Sequence, residues 1–151
     1  MRSSTSIAAG VVMAAAAAAV TGSALLRAEE PARPLAAEAG DLSTAAVVEV
    51  RDASGRAVLS GSLAAAAAAA DGDVERKALL AAKDGSAASG EAEVEISKSK
   101  SGAVEQELEV DVKGLAASTP YTIHVDGRAA GSFTTDADGE AEVELSSAGK
   151  R

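Results

Sequence analysis

Residues 91–113 read EAEVEISKSKSGAVEQELEVDVK, and the fold turns on this stretch. Ala92, Val94 and Ile96 alternate with Glu91, Glu93 and Glu95; beyond the break SKSKSG, Leu108, Val110 and Val112 alternate with Glu107, Glu109, Asp111 and Lys113. A period of two is that of a strand, whose successive side chains leave opposite faces of the sheet. Two such runs across a short polar break predict an antiparallel hairpin with one dry face and one wet face. Keeping Val94 and Ile96 over Leu108 and Val104 sets acid against acid. Glu91, Glu93, Glu95, Glu105, Glu107, Glu109 and Asp111 then share a face. Directly opposed like charges weaken a sheet and call for compensation by cations, basic neighbours or solvent. Lys98, Lys100 and Lys113 flank the patch but are too few to neutralise it. Such a face is either an interaction surface or a solvated one that keeps the domain soluble and blocks edge-to-edge association.

The same grammar extends outward. Ala141, Val143 and Leu145 alternate with Glu140, Glu142 and Glu144; Tyr121, Ile123 and Val125 alternate with Thr122, His124 and Asp126; Val48, Val50, Val58 and Phe133 lie on shorter runs. Gly- and Asp-rich turn signals separate these runs at 52–55, 71–73, 84–85, 97–102, 126–127 and 136–139. The expectation is an all-β domain over residues 45–147, an antiparallel sandwich or barrel of seven or eight short strands, with 148–151 as a tail. Two segments fit less well. Seven alanines at 64–70 read as a variable loop or a single helical turn, too short for a stable helix. Residues 74–83 (VERKALLAAK) suit a helix by composition and a strand by period, and the surrounding pattern favours the strand.

Ahead of the domain, Arg2, a weakly apolar stretch from Ile7 to Val20 and the small residues Thr21-Gly22-Ser23-Ala24 have the layout of a secretory signal peptide. Cleavage is expected after Ala24, with Ala28 as the second choice. The competing reading is a retained membrane anchor over residues 7–26, whose eight alanines at 8–19 favour transient recognition over permanent residence. Residues 25–44, with Pro31, Pro34 and Gly40 and no consistent period, read as a flexible leader. The mature chain is therefore expected to be exported, to the periplasm, cell envelope or extracellular space, touching a membrane only through an uncleaved N-terminus.

Composition narrows the function classes. The hydrophobic share of 47% rests on 39 alanines, whereas Val, Leu, Ile and Phe together number 29 of 151 residues. The core should be thin and the domain of modest stability. With no Cys, no Trp and one His, thiol chemistry, disulfides and aromatic platforms for single strands are excluded. A formal charge of -9 argues against a nucleic-acid partner. A catalytic reading must use His124, on the polar side of a strand, with Ser132 and Thr134 nearby in sequence; no Gly-x-Ser-x-Gly turn occurs. A hydrolase is thus disfavoured against a non-enzymatic structural or interaction domain whose partner is an unknown protein or envelope component. The alternative is a low-affinity calcium binder. Asp136, Asp138 and Glu140 offer hard oxygens at alternate positions, as Asp71 and Asp73 do on a smaller scale, but the full twelve-residue loop of helical calcium sites is missing.

Two segments share a plan of strand, turn, strand, acidic turn, strand: EVRDASGRAVLSGSL (49–63) with DGDVERKALL (71–80), and IHVDGRAAGSFTT (123–135) with DADGEAEVEL (136–145). Either a duplication or the common grammar of antiparallel sheets accounts for the match. Residues 114–145 (GLAASTPYTIHVDGRAAGSFTTDADGEAEVEL) resemble a hairpin unit of uncharacterised exported bacterial β-sandwich proteins. The resemblance is carried by Tyr121, Val125, Asp126, Gly127, Gly131, Phe133, Thr135, Asp136, Gly139 and Ala141. It implies an all-β fold and no particular activity. Gly114-Leu115 followed by Ile123-His124 is also similar to chordin-type repeats, without that family's surrounding pattern.

Overall fold

The computed structural model describes residues 31–65, 67–68 and 72–148. The expected signal segment, the first part of the leader, Ala66, Ala69 to Asp71 and the end of the tail lie outside the described residues. Ten strands follow one another: β1 (Arg33–Pro34), β2 (Val47–Arg51), β3 (Ala57–Ser62), β4 (Ala67–Ala68), β5 (Val74–Ala82), β6 (Ser89–Lys98), β7 (Val104–Lys113), β8 (Pro120–Val125), β9 (Arg128–Thr134) and β10 (Ala141–Ser146). They make one sheet in the order β1-β10-β7-β6-β5-β3-β2-β8-β9, with β4 added beside β5. All pairings are antiparallel except that of β1 with β10.

The sheet curls until its two ends nearly meet, and the segment around β1 bridges them. Leu35 N–H donates to the Ser146 carbonyl of β10, Ala36 N–H donates to the Ala130 carbonyl of β9, both at 2.9 Å, and the Arg33 guanidinium reaches the Ser132 carbonyl at 3.0 Å. Gly131 permits the approach of β9 to β10, since any β-carbon there would run into the side chain of Leu145. The product is a nearly closed all-β barrel. Its eight strands of five residues or more agree with the sequence expectation; β1 and β4, of two residues each, carry no readable period.

An eight-strand barrel has an interior just wide enough for side chains. This reconciles a sparse apolar inventory with a filled core: Val48, Val50, Leu59, Val94, Leu108, Val110, Val112 and Ile123 are fully buried, with Ala78, Ala92 and Ala130 filling the narrower places. Tyr121 and Phe133 face each other across β8 and β9 and stack with ring centroids 5.7 Å apart. Thr135, a buried polar residue, donates from Oγ1 to the Ala116 carbonyl at 2.6 Å and accepts from Thr119 N–H at 2.9 Å.

The leader departs from the sequence expectation. Residues 33–44 are built into the fold through β1 and two short 3-10 turns, Ala37–Ala39 and Leu42–Thr44, and Leu42 is completely buried. Asp41 accepts from Ser43 N–H at 2.8 Å and caps the second turn. The Gln106 side chain secures the plug, accepting from Leu42 N–H at 2.7 Å and donating to the Gly40 carbonyl at 3.3 Å. Leu35, Ala39 and Leu42 enter the barrel mouth one at a time, so no strand or helix period exists to be read.

Residues 74–82 form a strand, as their context favours. Within the described part of the alanine run, Ala67 and Ala68 pair with Glu75 and Val74, so this portion is extended rather than helical. The Asp126-Gly127 turn is a two-residue hairpin with both φ angles positive, 47° and 79°, the twist that suits tightly joined strands. Asp126 also ties this turn to the start of β2, its Oδ1 accepting from Ala46 N–H at 3.0 Å and Val47 N–H at 2.9 Å.

Candidate functional site

The outer face of β5, β6, β7 and β10 gathers the acidic residues. Odd-numbered residues of β5, β6 and β7 point outward because even-numbered neighbours such as Leu80, Ala92, Val94, Leu108, Val110 and Val112 fill the barrel, and β10 joins them through Glu142 and Glu144. The register stacks three rows across the strands: Leu79, Glu91, Asp111 and Glu142; Lys77, Glu93, Glu109 and Glu144; and Glu75, Glu95, Glu107 and Ser146. Six of the seven residues expected on the face, Glu91, Glu93, Glu95, Glu107, Glu109 and Asp111, stand acid opposite acid as anticipated. Glu105 lies opposite Ser97 near the hairpin tip. One detail differs. Val94 pairs with Leu108, but Ile96 pairs with Gln106 and not with Val104, which faces Lys98 and is exposed. The hairpin is longer than the apolar match requires, and Gln106 occupies an inward position because the N-terminal plug needs its amide.

Glu142, Glu144, Glu75 and the cation Lys77 join this face without having been expected there. Their alternation marks a wet side, but adjacency of β10 to β7 depends on a crossover past the β8–β9 hairpin, which periodicity does not encode. Lys77 bridges Glu93 at 3.0 Å and Glu75 at 3.4 Å, and these carboxylates raise its pKa. Glu107 and Glu109 are both held above the usual carboxylate range. Partial burial is the larger cause, followed by their neighbours: Glu144, Glu95, Glu109 and Glu93 act on Glu107, and Glu142, Glu93, Glu144 and Asp111 on Glu109. An open cleft of about 680 Å³ lies toward the Ser89 end, lined by Leu79, Glu91, Glu93, Glu109, Asp111 and Lys113 among others. Leu79 is 78% exposed at its margin.

The other sequence candidates are placed differently. Asp136 Oδ1 accepts from Asp138 N–H and Glu140 N–H, both at 2.9 Å, so this oxygen holds the turn together. Gly139, at φ 78°, packs so closely on Leu115 that a β-carbon would strike its carbonyl. Asp136, Asp138 and Glu140 are thus arranged by hairpin geometry. Among the described residues, no group of three or more His, Asp or Glu side chains is placed to hold a metal ion. His124 lies on the outer side of β8 opposite Glu49, with Nε2 3.1 Å from Thr122 Oγ1 and Nδ1 3.4 Å from the Gly127 carbonyl. Ser132 faces Thr122, and Thr134 faces Pro120, along the same hairpin. No helix among the described residues is long and apolar enough to cross a membrane.

The chain matches no family model, no curated protein and no solved structure.

Proposed function

We propose that this chain is a non-enzymatic exported β domain that acts by interaction, presenting the acidic face of β6, β7 and β10 to a cationic partner of the cell envelope or extracellular space. The observation that carries this reading is the register: acids oppose acids from β6 through β7 to β10, and Lys77 neutralises only the β5 margin. A sheet needs surface charge for solubility, but charge of mixed sign supplies that without stacking like charges. A cationic partner lowers this repulsion on binding, and complementary fields of this kind act most on specificity and association rate. The export expectation rests on residues 1–24 and places the partner outside the cytoplasm.

Titration of the full chain with a hexalysine peptide at low ionic strength tests the reading. Binding is expected to weaken by about tenfold in the variant carrying E105Q, E107Q and E109Q, and to fall with added salt. Equal affinity of variant and wild type would reduce the face to a solvated surface.

A further inference from the structure

We propose that Asp84-Gly85, in the turn between β5 and β6, is a site of spontaneous covalent modification, at which the Gly85 nitrogen attacks the Asp84 side chain and the pair ages to isoaspartate through a cyclic imide. The site stands on the turns of the barrel alone and does not depend on any partner.

The sequence contains no Asn, so the deamidation route to isoaspartate is closed and Asp must supply it. Glycine is the most permissive residue to follow Asp, because no β-carbon shields the peptide nitrogen and the backbone turns freely. Asp-Gly occurs at 71–72, 84–85, 126–127 and 138–139, of which Asp71 lies outside the described residues. In the reaction the glycine nitrogen bonds to the side-chain carboxyl carbon of the aspartic acid. The proton of that nitrogen and the hydroxyl of the acid leave together as one water. A water then adds back at the former main-chain carbonyl and breaks its bond to nitrogen. The product carries a free α-carboxylate, and its chain runs through the aspartate side chain; no oxidant, reductant or co-reactant enters.

The fold holds the three described pairs to different degrees. Asp126 is pinned through its carboxylate, whose Oδ1 accepts from Ala46 N–H at 3.0 Å and Val47 N–H at 2.9 Å within a two-residue hairpin. Asp138-Gly139 is pinned through its glycine. Gly139 is buried, its N–H donates to the Asp136 carbonyl at 3.2 Å, and it packs directly on the Leu115 carbonyl. Asp84-Gly85 has neither restraint. Both residues are exposed in the connection 83–88, and nothing lies within 4 Å of the place a β-carbon of Gly85 would take. Lys83 N–H anchors the start of the turn to the Val58 carbonyl at 3.0 Å, and the Asp84 carboxylate accepts from Ser86 N–H at 2.9 Å. The second bond is internal to the turn, so it opens without unfastening another element. The Asp84 side chain and the Gly85 nitrogen can therefore rotate toward each other by loop motion alone. At 126 and 138 the same rotation must first break contacts that tie separate parts of the barrel together.

Incubation of the folded full chain at 37 °C and pH 5.0, where more of the reactive neutral acid is present, tests the site by peptide mapping with mass spectrometry. The imide is lighter than its parent by one water. The isoaspartyl product keeps the parent mass, elutes separately and resists a protease that cuts before aspartate. Product at 84 is expected to accumulate about tenfold faster than at 126 or 138, the factor set by the hydrogen bonds that must open at those two turns. In concentrated guanidinium chloride, where the turns are lost, the three rates should converge. A rate at 126 or 138 that matches or exceeds the rate at 84 in the folded chain overturns the assignment, as does the absence of product at 84. A lead at 84 that persists undiminished in denaturant also overturns it, because the neighbouring sequence and not the fold then selects the site.

Discussion

The two halves of the barrel are alike inside and opposite outside. In β2, β3, β8 and β9 the inward side chains Val48, Val50, Leu59, Ile123, Val125 and Phe133 do what Val94, Leu108, Val110 and Val143 do in β6, β7 and β10. Outward, the first half pairs Glu49 with Ser60 and His124, Arg51 with Thr122, and Thr122 with Ser132, and Arg51 forms an ion pair with Glu49. The second half sets glutamate beside glutamate across three strands. The inner alternation therefore suffices to make the barrel, and the outer positions are free to carry charge of one sign. Where a chain accepts repulsion that its own fold does not need, function is the natural place to look.

The largest effects should come from the shared interior. L108A in the acidic half and I123A in the neutral half should each lose about 3 kcal/mol in urea unfolding, because both truncate fully buried side chains. A much smaller loss in the acidic half would break the claim that the two interiors are equivalent. Next comes the link between halves of the chain at Asp126. D126A removes the acceptor for Ala46 and Val47 N–H and should cost about 1–2 kcal/mol by the same measurement.

The outer faces should differ in sign. E109K places a cation among Glu93, Glu142 and Glu144 and should stabilise by up to about 1 kcal/mol at low salt, whereas S132K on β9 should be nearly neutral. The comparison is sharpened by raising the ionic strength, which should shrink the difference. The smallest effect is a fall in stability in strong acid. Asp41, Asp52 and Asp84 have pKa values lowered mainly by hydrogen bonds from Ser43, Ser54 and Ser86. Lowered groups contribute stability above the unfolded value, near 3.8, and lose it as pH falls through the folded value. Raised groups, Glu107 and Glu109, contribute stability below their unfolded values and lose it as pH rises through the folded ones. The pH profile should thus rise from neutrality into the Glu107 and Glu109 range and turn downward below 3.8, read as melting midpoints.

Much of this is legible in the sequence for a single reason: a half-buried strand writes its two faces alternately. The β6–β7 hairpin, its acid-to-acid register and the Asp126-Gly127 turn follow from that rule and from turn chemistry. The plug at 33–44 escapes because Leu35, Ala39 and Leu42 enter the core from separate turns rather than along one element. Glu142 and Glu144 escape for a topological reason, since their strand returns to β7 after an intervening hairpin. Val104 misleads because apolar character at a strand end imitates a core position; the residue sits near the exposed tip.

The bridge of residues 33–36 onto β9 and β10 makes closure a property of the whole domain. Arg33 finds its strand partner at Leu145, so among the described residues the earliest strand waits for the last. A polypeptide stopped before residue 141 leaves β7 with an open edge and gives Arg33–Pro34 nothing to pair with. Contacts of such long sequence separation form slowly and late. For a chain delivered end first, the seam acts as a completeness check, shutting only when the final strand has arrived.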